Sequence, residues 1–348
     1  FGCVVAGRLH GSLVAVKLPL VKGCANAPQP VGALCNEIRL LRRIRNSHIV
    51  AFHGAALDPS SGEIAMIFEY VPGCRMGNFV THMHTDKANS ADYGPGLTAI
   101  LFDVSNALTY LHSLKPTVVH GDIKESNIKV YQSHTGYHQA KLLDFGLSRL
   151  LTKRAKPLGG TLVWMAPELF RNSTDDEPAR PAASADVFSF GLLAHFTMTG
   201  LNVKSSFDPC YLEQRFDRLS WPADKPMSDA CRRLCGACLN GAPNERPEMR
   251  EVLRTMTQWL RSSGASFASM GESRVHMLTR AMTWDQGVQR LRSASLSSKN
   301  HAQVNHNMTP NGRDALDARA AGKVADVDGA SEVAPPSTPS CHKNVWAL

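Results

Sequence analysis

The chain has 348 residues, of which 43% are apolar and 20% charged, so most of it can bury a core and it exceeds what one small core needs. Its 38 Lys and Arg against 30 Asp and Glu leave a formal charge of +8, a moderate excess that gives no ground to expect nucleic acid as a partner. Its 9 cysteines show no dense paired framework of the secreted kind, so they are read as reduced thiols of a cytoplasmic protein, with the nucleus as the other compartment.

Residues Val4 to Leu18 alternate and are rich in Val, with Gly7 and Gly11 as punctuation. That predicts strands joined by tight turns. The sequence opens on Phe1 inside this strand-like run, so it is expected to lack the start of a longer chain. After Pro28 and Pro30, residues Val31 to Ile44 read as a helix with Leu34, Ile38, Leu41 and Ile44 on one face. Ile49 to Leu57 and Ile64 to Tyr70 read as strands flanking the turn cluster Asp58 to Gly62. Helical spacing then dominates, beginning with Leu97 to Leu111. The most apolar stretch, Ala182 to Leu201, contains Asp186 and His195 and reads as a buried helix rather than a membrane span. No span is expected in this chain. From about Ser262 the text loses periodicity and becomes rich in Ser, Ala, Asn and Arg, which predicts a disordered tail with a transient helix at Val275 to Leu291.

Four signals then stand in a fixed order. Val14-Ala15-Val16-Lys17 lies on a predicted strand, where alternation sets Ala15 and Lys17 on one face. A small Ala15 leaves room for a flat ligand beside an ammonium that can hold phosphate oxygens; the plainer reading is a solvated edge-strand Lys. Glu37 on the next helix can pair with Lys17, or simply face solvent beside Arg39 and Arg42. The run His120-Gly121-Asp122-Ile123-Lys124-Glu125-Ser126-Asn127 supplies a base, a cation and a carbonyl oxygen suited to Mg2+. Asp144-Phe145-Gly146 ends an apolar strand with a carboxylate that can ligate Mg2+. Each is weak alone. The order Lys, Glu, Asp-Lys-Asn, Asp-Phe-Gly is what phosphoryl transfer needs.

The set resembles the eukaryotic protein kinase family, across about Phe1 to Arg261. The resemblance implies an α+β, bilobal fold: a β-rich N-lobe and hinge over 1–71, a mainly helical C-lobe over 72–261, and the tail over 262–348. It implies ATP and Mg2+ as cofactors and protein substrates as partners, and it leaves the upstream regulator unknown. Asp122, Lys124 and Lys17 would be catalytic, and Asn127 and Asp144 would hold the metal. Gly2 and Val4 resemble the end of a Gly-rich loop whose first glycines are missing. Gly2, Val4, Ala15, Lys17, Glu37, Phe68, Glu69, Val71, Asn127 and Asp144 would line the nucleotide site. Phe68 takes the gatekeeper place, with backbone groups at Glu69 and Val71 for the adenine edge. Glu168 in Ala166-Pro167-Glu168 would pair with Arg246. Asp186 would anchor the catalytic loop, and Thr161 would contact Asp122 and Lys124. Leu41, Phe52, His120 and Phe145 would stack in the core.

The text departs from the family where Gly121 replaces an Arg that often pairs with an activation-segment phosphate. No group touching the reacting atoms is lost, which favours an active enzyme over a kinase-fold scaffold. Lys124, Thr161 and the text around Trp164 to Glu168 resemble the tyrosine-kinase-like group of Ser/Thr kinases; dual or tyrosine specificity is the alternative. Arg149, Lys153, Arg154 and Lys156 form a basic run read as solvated, and Cys231, Cys235 and Cys238 read as a buried helix face rather than a zinc site. Arg290 to Ser295 reads as ordinary tail text, with a basic-directed phosphorylation site as the alternative.

Overall fold

The Val-rich opening folds as its alternation predicts. In the computed structural model, β1 (Cys3–Leu9) and β2 (Ser12–Leu18) form an antiparallel hairpin with Leu9 opposite Ser12. The two turn residues, His10 and Gly11, have φ of 49° and 83°, as the twist of a two-residue hairpin turn requires. The structure describes residues 3–18, 31–58, 63–85, 93–133, 136–150, 161–169, 182–201, 219–222 and 228–262. The tail from 263 and its proposed helix, and the basic run at Lys153, Arg154 and Lys156, lie outside these residues.

β3 (Phe52–Leu57) and β4 (Ile64–Glu69) complete a four-stranded antiparallel sheet in the order β1-β2-β4-β3. α1 (Val31–Leu41) precedes β3 and is shorter than its apolar spacing predicts. Past Leu41 the bonds tighten: the amides of Arg43 and Ile44 donate to Leu40 and Leu41, three residues back, which closes the helix. The predicted strand from Ile49 also starts later, at Phe52. Ile49 instead forms an isolated parallel bridge with Leu142, and the Val50 amide donates to the Leu142 carbonyl at 3.0 Å. Its apolar character serves packing against the helical half rather than the sheet.

The remainder is mainly helical. Helix α2 (Met76–Thr85) follows the short β5 (Cys74–Arg75), and α3 (Tyr93–Ser113) leads to β6 (Val118–Val119). Strands β7 (Ile128–Gln132) and β8 (His138–Leu142) form a hairpin that extends β5 into a three-stranded sheet. β9 (Arg149–Leu150) pairs with β6. Helices α4 (Ala183–Thr199), α5 (Ser228–Cys238) and α6 (Met249–Ser262) follow. In α4 every residue from Ala185 to Thr199 is buried, so this helix has no solvent face and acts as a central post. Helix α3 packs against it and against α6, and α5 packs on its other flank. No described helix is long and apolar enough to cross a membrane.

Two devices lock the post. Gly191 lets α5 approach: a Cβ there would lie 2.8 Å from the Cys238 Cβ and 3.0 Å from Leu239 Cγ. Near the start of α4, the Arg246 guanidinium meets Glu168 in a two-pronged pair at 2.7 and 2.8 Å and also donates to the carbonyls of Asn240 and Ser184. The Arg246 side chain is 0% exposed and lies 4.9 Å over the Phe188 ring.

Two stability measurements check this. Gly191→Ala gains about 1 kcal/mol of helix propensity, but the overpacking costs about 1–3 kcal/mol. Because the Cys238 Cβ is fixed to backbone, the net change is a lower urea midpoint at unchanged slope. Glu168→Ala leaves a buried guanidinium without its carboxylate and lowers stability by about 3 kcal/mol in the same titration.

Candidate active site

The site begins on β2. Lys17 stands opposite Val4 of β1 and Met66 of β4. Its Nζ lies 2.9 Å from Glu37 Oε1 on α1 and 3.0 Å from Asp144 Oδ1. Burial alone pulls the Lys17 pKa down, but the charges of Asp144 and Glu37 outweigh it and the net value is raised above 10.5. Burial alone would raise Asp144, but the Lys17 charge and hydrogen bonds from Lys17 and Gly146 leave it below 3.8. The stability due to Asp144 is therefore present above the unfolded carboxyl value and lost as pH falls through the lowered one. That due to Lys17 is present below its unfolded value and lost as pH rises through the raised one. Both charges stand across the neutral range.

Asp144 has φ of 57°, a left-handed conformation for a residue with a Cβ. Phe145 beside it is 1% exposed and packs edge-on to His120, with ring centroids 5.0 Å apart. His120 is fully buried and its Nε2 donates to the Leu143 carbonyl at 3.0 Å, so it is a core histidine. Leu41 and Phe52 belong to the same apolar cluster.

The loop after β6 is hung from α4. Asp186 Oδ2 accepts the His120 amide and His112 Nε2, each at 2.9 Å, and Oδ1 accepts the Gly121 amide at 2.9 Å. Burial would raise this carboxyl, yet the His112 hydrogen bond and the nearby histidines hold it below 3.8. Gly121 has φ of 79°, so the backbone turns here where a side chain would be strained. The turn delivers Asp122, whose two oxygens have different partners. Oδ1 accepts the Thr161 hydroxyl at 2.9 Å and its amide at 3.2 Å. Oδ2 accepts Lys124 Nζ at 2.7 Å and Asn127 Nδ2 at 2.9 Å. Lys124 also donates to the Thr161 hydroxyl at 2.6 Å, so Thr161 touches both residues, as the resemblance implied.

The two groups of residues adjoin. The Leu143 amide, just before Asp144, donates to the Asn127 backbone carbonyl at 2.8 Å. Asn127 Nδ2 donates to both the Asp122 carbonyl and its carboxylate. The amide's donors are thereby taken, and its Oδ1 is the atom left that could meet a cation. One carboxylate and one carbonyl oxygen fit Mg2+, which keeps waters and takes its other ligands from phosphates. No group of three or more acidic, His or Cys side chains able to hold a metal occurs among the described residues.

Farther along the sheet, Phe68 stands opposite Ala15, its ring 5.5 Å from that of Phe52. The Glu69 amide donates to the Ala51 carbonyl, and its carboxylate accepts Lys141 Nζ at 2.8 Å. The Val71 carbonyl accepts Lys129 Nζ at 2.6 Å. Val4 is 61% exposed on β1, while Gly2 lies outside the described residues. Sequence reasoning missed His112, Lys129 and Lys141. An aspartate in an apolar helix announced that Asp186 needed donors, but not that His112 was one. Cys231, Cys235 and Cys238 are buried on α5 as unpaired thiols, and burial pushes Cys238 up to about 12.

Known proteins carry the same pattern. The family model described as "Protein kinase domain" matches residues 1–259. Serine/threonine-protein kinase CTR1 of Arabidopsis thaliana is 28% identical over 270 residues, covering 76% of this chain and 31% of that protein. Serine/threonine-protein kinase TNNI3K of Mus musculus is 31% identical over 271 residues, 75% of this chain and 30% of that one. The Raf homolog serine/threonine-protein kinase of Caenorhabditis elegans is 30% identical over 273 residues, 74% and 31% of the two chains. This chain thus matches about a third of the length of these relatives. With a domain match that runs through every group just described, the chain belongs to the protein kinase family.

Proposed function

We propose that this chain is a protein serine/threonine kinase that moves the ATP γ-phosphate to protein hydroxyls in intracellular signalling. The observation that carries the reading is convergence: Lys17, Glu37 and Asp144 adjoin Asp122, Lys124 and Asn127 across one hydrogen-bonded backbone contact. Bound Mg2+ and ATP would supply the activated phosphoryl group and neutralise its charge. Asp144 and Asn127 Oδ1 would hold the metal. Glu37 keeps Lys17 extended so that its ammonium can fix phosphate oxygens. Asp122 is held at both oxygens, and Oδ1 is the atom that would orient the acceptor hydroxyl and take its proton. Lys124 would donate to the transferring phosphoryl group. The Glu69 carbonyl and the Val71 amide would take the adenine edge, between Val4 and Gly2 above and Ala15 and Phe68 behind. The Lys124–Thr161 contact and the Ser/Thr names of the relatives support hydroxyls of Ser and Thr rather than Tyr. The unbridged thiols support a reducing compartment, the cytoplasm or the nucleus.

The test is transfer from radiolabelled ATP to casein, followed by phosphoamino-acid analysis. Asp122→Asn should lower the rate about 10²–10⁴-fold with MgATP affinity retained. Lys17→Met and Asp144→Asn should each lower it at least about 100-fold. Label on serine and threonine is expected. Label on tyrosine as well would make the enzyme dual-specific, and wild-type rates no better than the three variants would leave a scaffold.

Gly121 offers no side chain to an activation-segment phosphate, so activity should not require one there. Phosphatase treatment is expected to leave the casein rate within about twofold; a large loss would count against this.

A further inference from the structure

The end of α1 carries a basic face that the transfer chemistry does not use. Arg39 lies on α1. Arg42 and Arg43 lie in the turn that closes it, where their amides donate to the Ile38 and Leu40 carbonyls at 3.1 and 3.0 Å. All three side chains are exposed. Their spacing is i, i+3 and i+4, which sets them side by side on one face. The opposite face is committed to the interior: Leu40, Leu41 and Ile44 are buried, and Glu37 meets Lys17.

These arginines have no structural employment. No ion pair or side-chain hydrogen bond joins Arg39, Arg42 or Arg43 to another described residue. Glu37 is the one acid of α1, and it is held by Lys17. Like charges at these spacings repel, so the helix gains nothing from grouping them. A cation at a helix C-terminus does have a use, because it satisfies the last carbonyls. Arg45 already fills that role: its Nη1 donates to the Ile44 carbonyl at 2.7 Å and reaches that of Leu41 at 3.5 Å. Three guanidinium forks are left over within about one helical turn.

The chemistry of the forks narrows the partner. A planar guanidinium grips oxygens in pairs, so one carboxylate occupies one fork. A phosphate monoester presents three oxygens and nearly two charges, which suits several forks at once. A bilayer suits the face less well. None of the exposed large apolar side chains among the described residues lies on α1, so nothing here would enter lipid.

We propose that Arg39, Arg42 and Arg43 form a docking face for a segment of a partner protein that carries phosphoserine or phosphothreonine. The face lies on the far side of α1 from Lys17. Docking needs neither ATP nor transfer, so it stands independently of the catalytic reading.

The experiment applies the full 348-residue chain, without nucleotide, to an array of random-flank peptides with a central phosphoserine, beside twins with serine or glutamate at that place. The best phosphopeptide is then titrated by fluorescence anisotropy. The serine twin should bind at least about tenfold more weakly, and the glutamate twin several-fold more weakly. Arg39→Ala, Arg42→Ala and Arg43→Ala together should lower affinity for the phosphopeptide at least about tenfold. The thermal midpoint should stay or rise as repulsion is relieved, with casein turnover within about twofold. Arg43→Lys keeps the charge and loses the fork, and should cost about threefold. A wild-type chain that does not prefer phosphoserine to serine overturns the proposal, and so does a triple variant with wild-type affinity. Equal binding of the glutamate twin overturns the choice of phosphate. Arginine-dependent binding to phosphatidylserine vesicles, with none to the peptides, overturns the peptide in favour of a membrane. If the triple variant does not fold, the single alanine variants, each expected to lose about threefold, decide by the same criteria.

Discussion

The ammonium of Lys17 is the point on which the structure turns. It is drawn to Glu37, 20 residues away, and to Asp144, 127 residues away, so one charge joins the sheet, α1 and the segment after β8. None of the three groups can stand alone where it is. The Glu37 and Lys17 side chains are 2% and 11% exposed, and either would lose hydration without a partner. Asp144 is more open, at 28%, which suits a carboxylate that has an oxygen left for a cation. Attraction across such short distances exceeds the desolvation loss only while α1 keeps Glu37 beside β2. The position of a helix is thereby coupled to the electrostatics of a strand.

A second buried charge does the same for the other half of the site. Asp186 is on a helix with no exposed face, so it has to find its donors among neighbouring backbone and side chains. It takes the His120 and Gly121 amides and the His112 ring. Those two amides belong to the turn that presents Asp122. The buried helix α4 is therefore what holds the loop that carries Asp122, and Arg246 holds the same helix from the Glu168 side. Beyond one 3-10 turn at Glu125–Asn127, the loop owes its shape to these bonds.

These dependencies explain what could be read from the residues alone. That Lys17, Asp122, Asn127 and Asp144 belong together could be read from the residues, because phosphoryl transfer calls for such side chains in such an order. Thr161, Glu168 and Arg246 were legible only through resemblance, since nothing local to them states whom they meet. The α-helix over Ala183–Thr199 was plain from its apolar text. The end of α1 and the role of Ile49 were not, because both were decided by contacts with β8 and by a tightened last turn. Lys129 hid for the opposite reason. A lysine between Ile128 and Val130 reads as the solvated position of an alternating strand, and only the approach of Val71 gives its ammonium a destination.

Asp144 shows how such constraints add up at one residue. Its left-handed φ costs about 1–2 kcal/mol relative to an ordinary backbone. Relaxing that angle would swing the carboxylate from Lys17 or pull Phe145 from its place against His120. Either loss matches or exceeds the strain: burying a Phe side chain contributes about 1.5–3 kcal/mol, and the ion pair adds to it. The conformation is therefore held by neighbours on both sides, one polar and one apolar. Strain sits at the carboxylate proposed to meet the metal because the residues around it over-determine its direction.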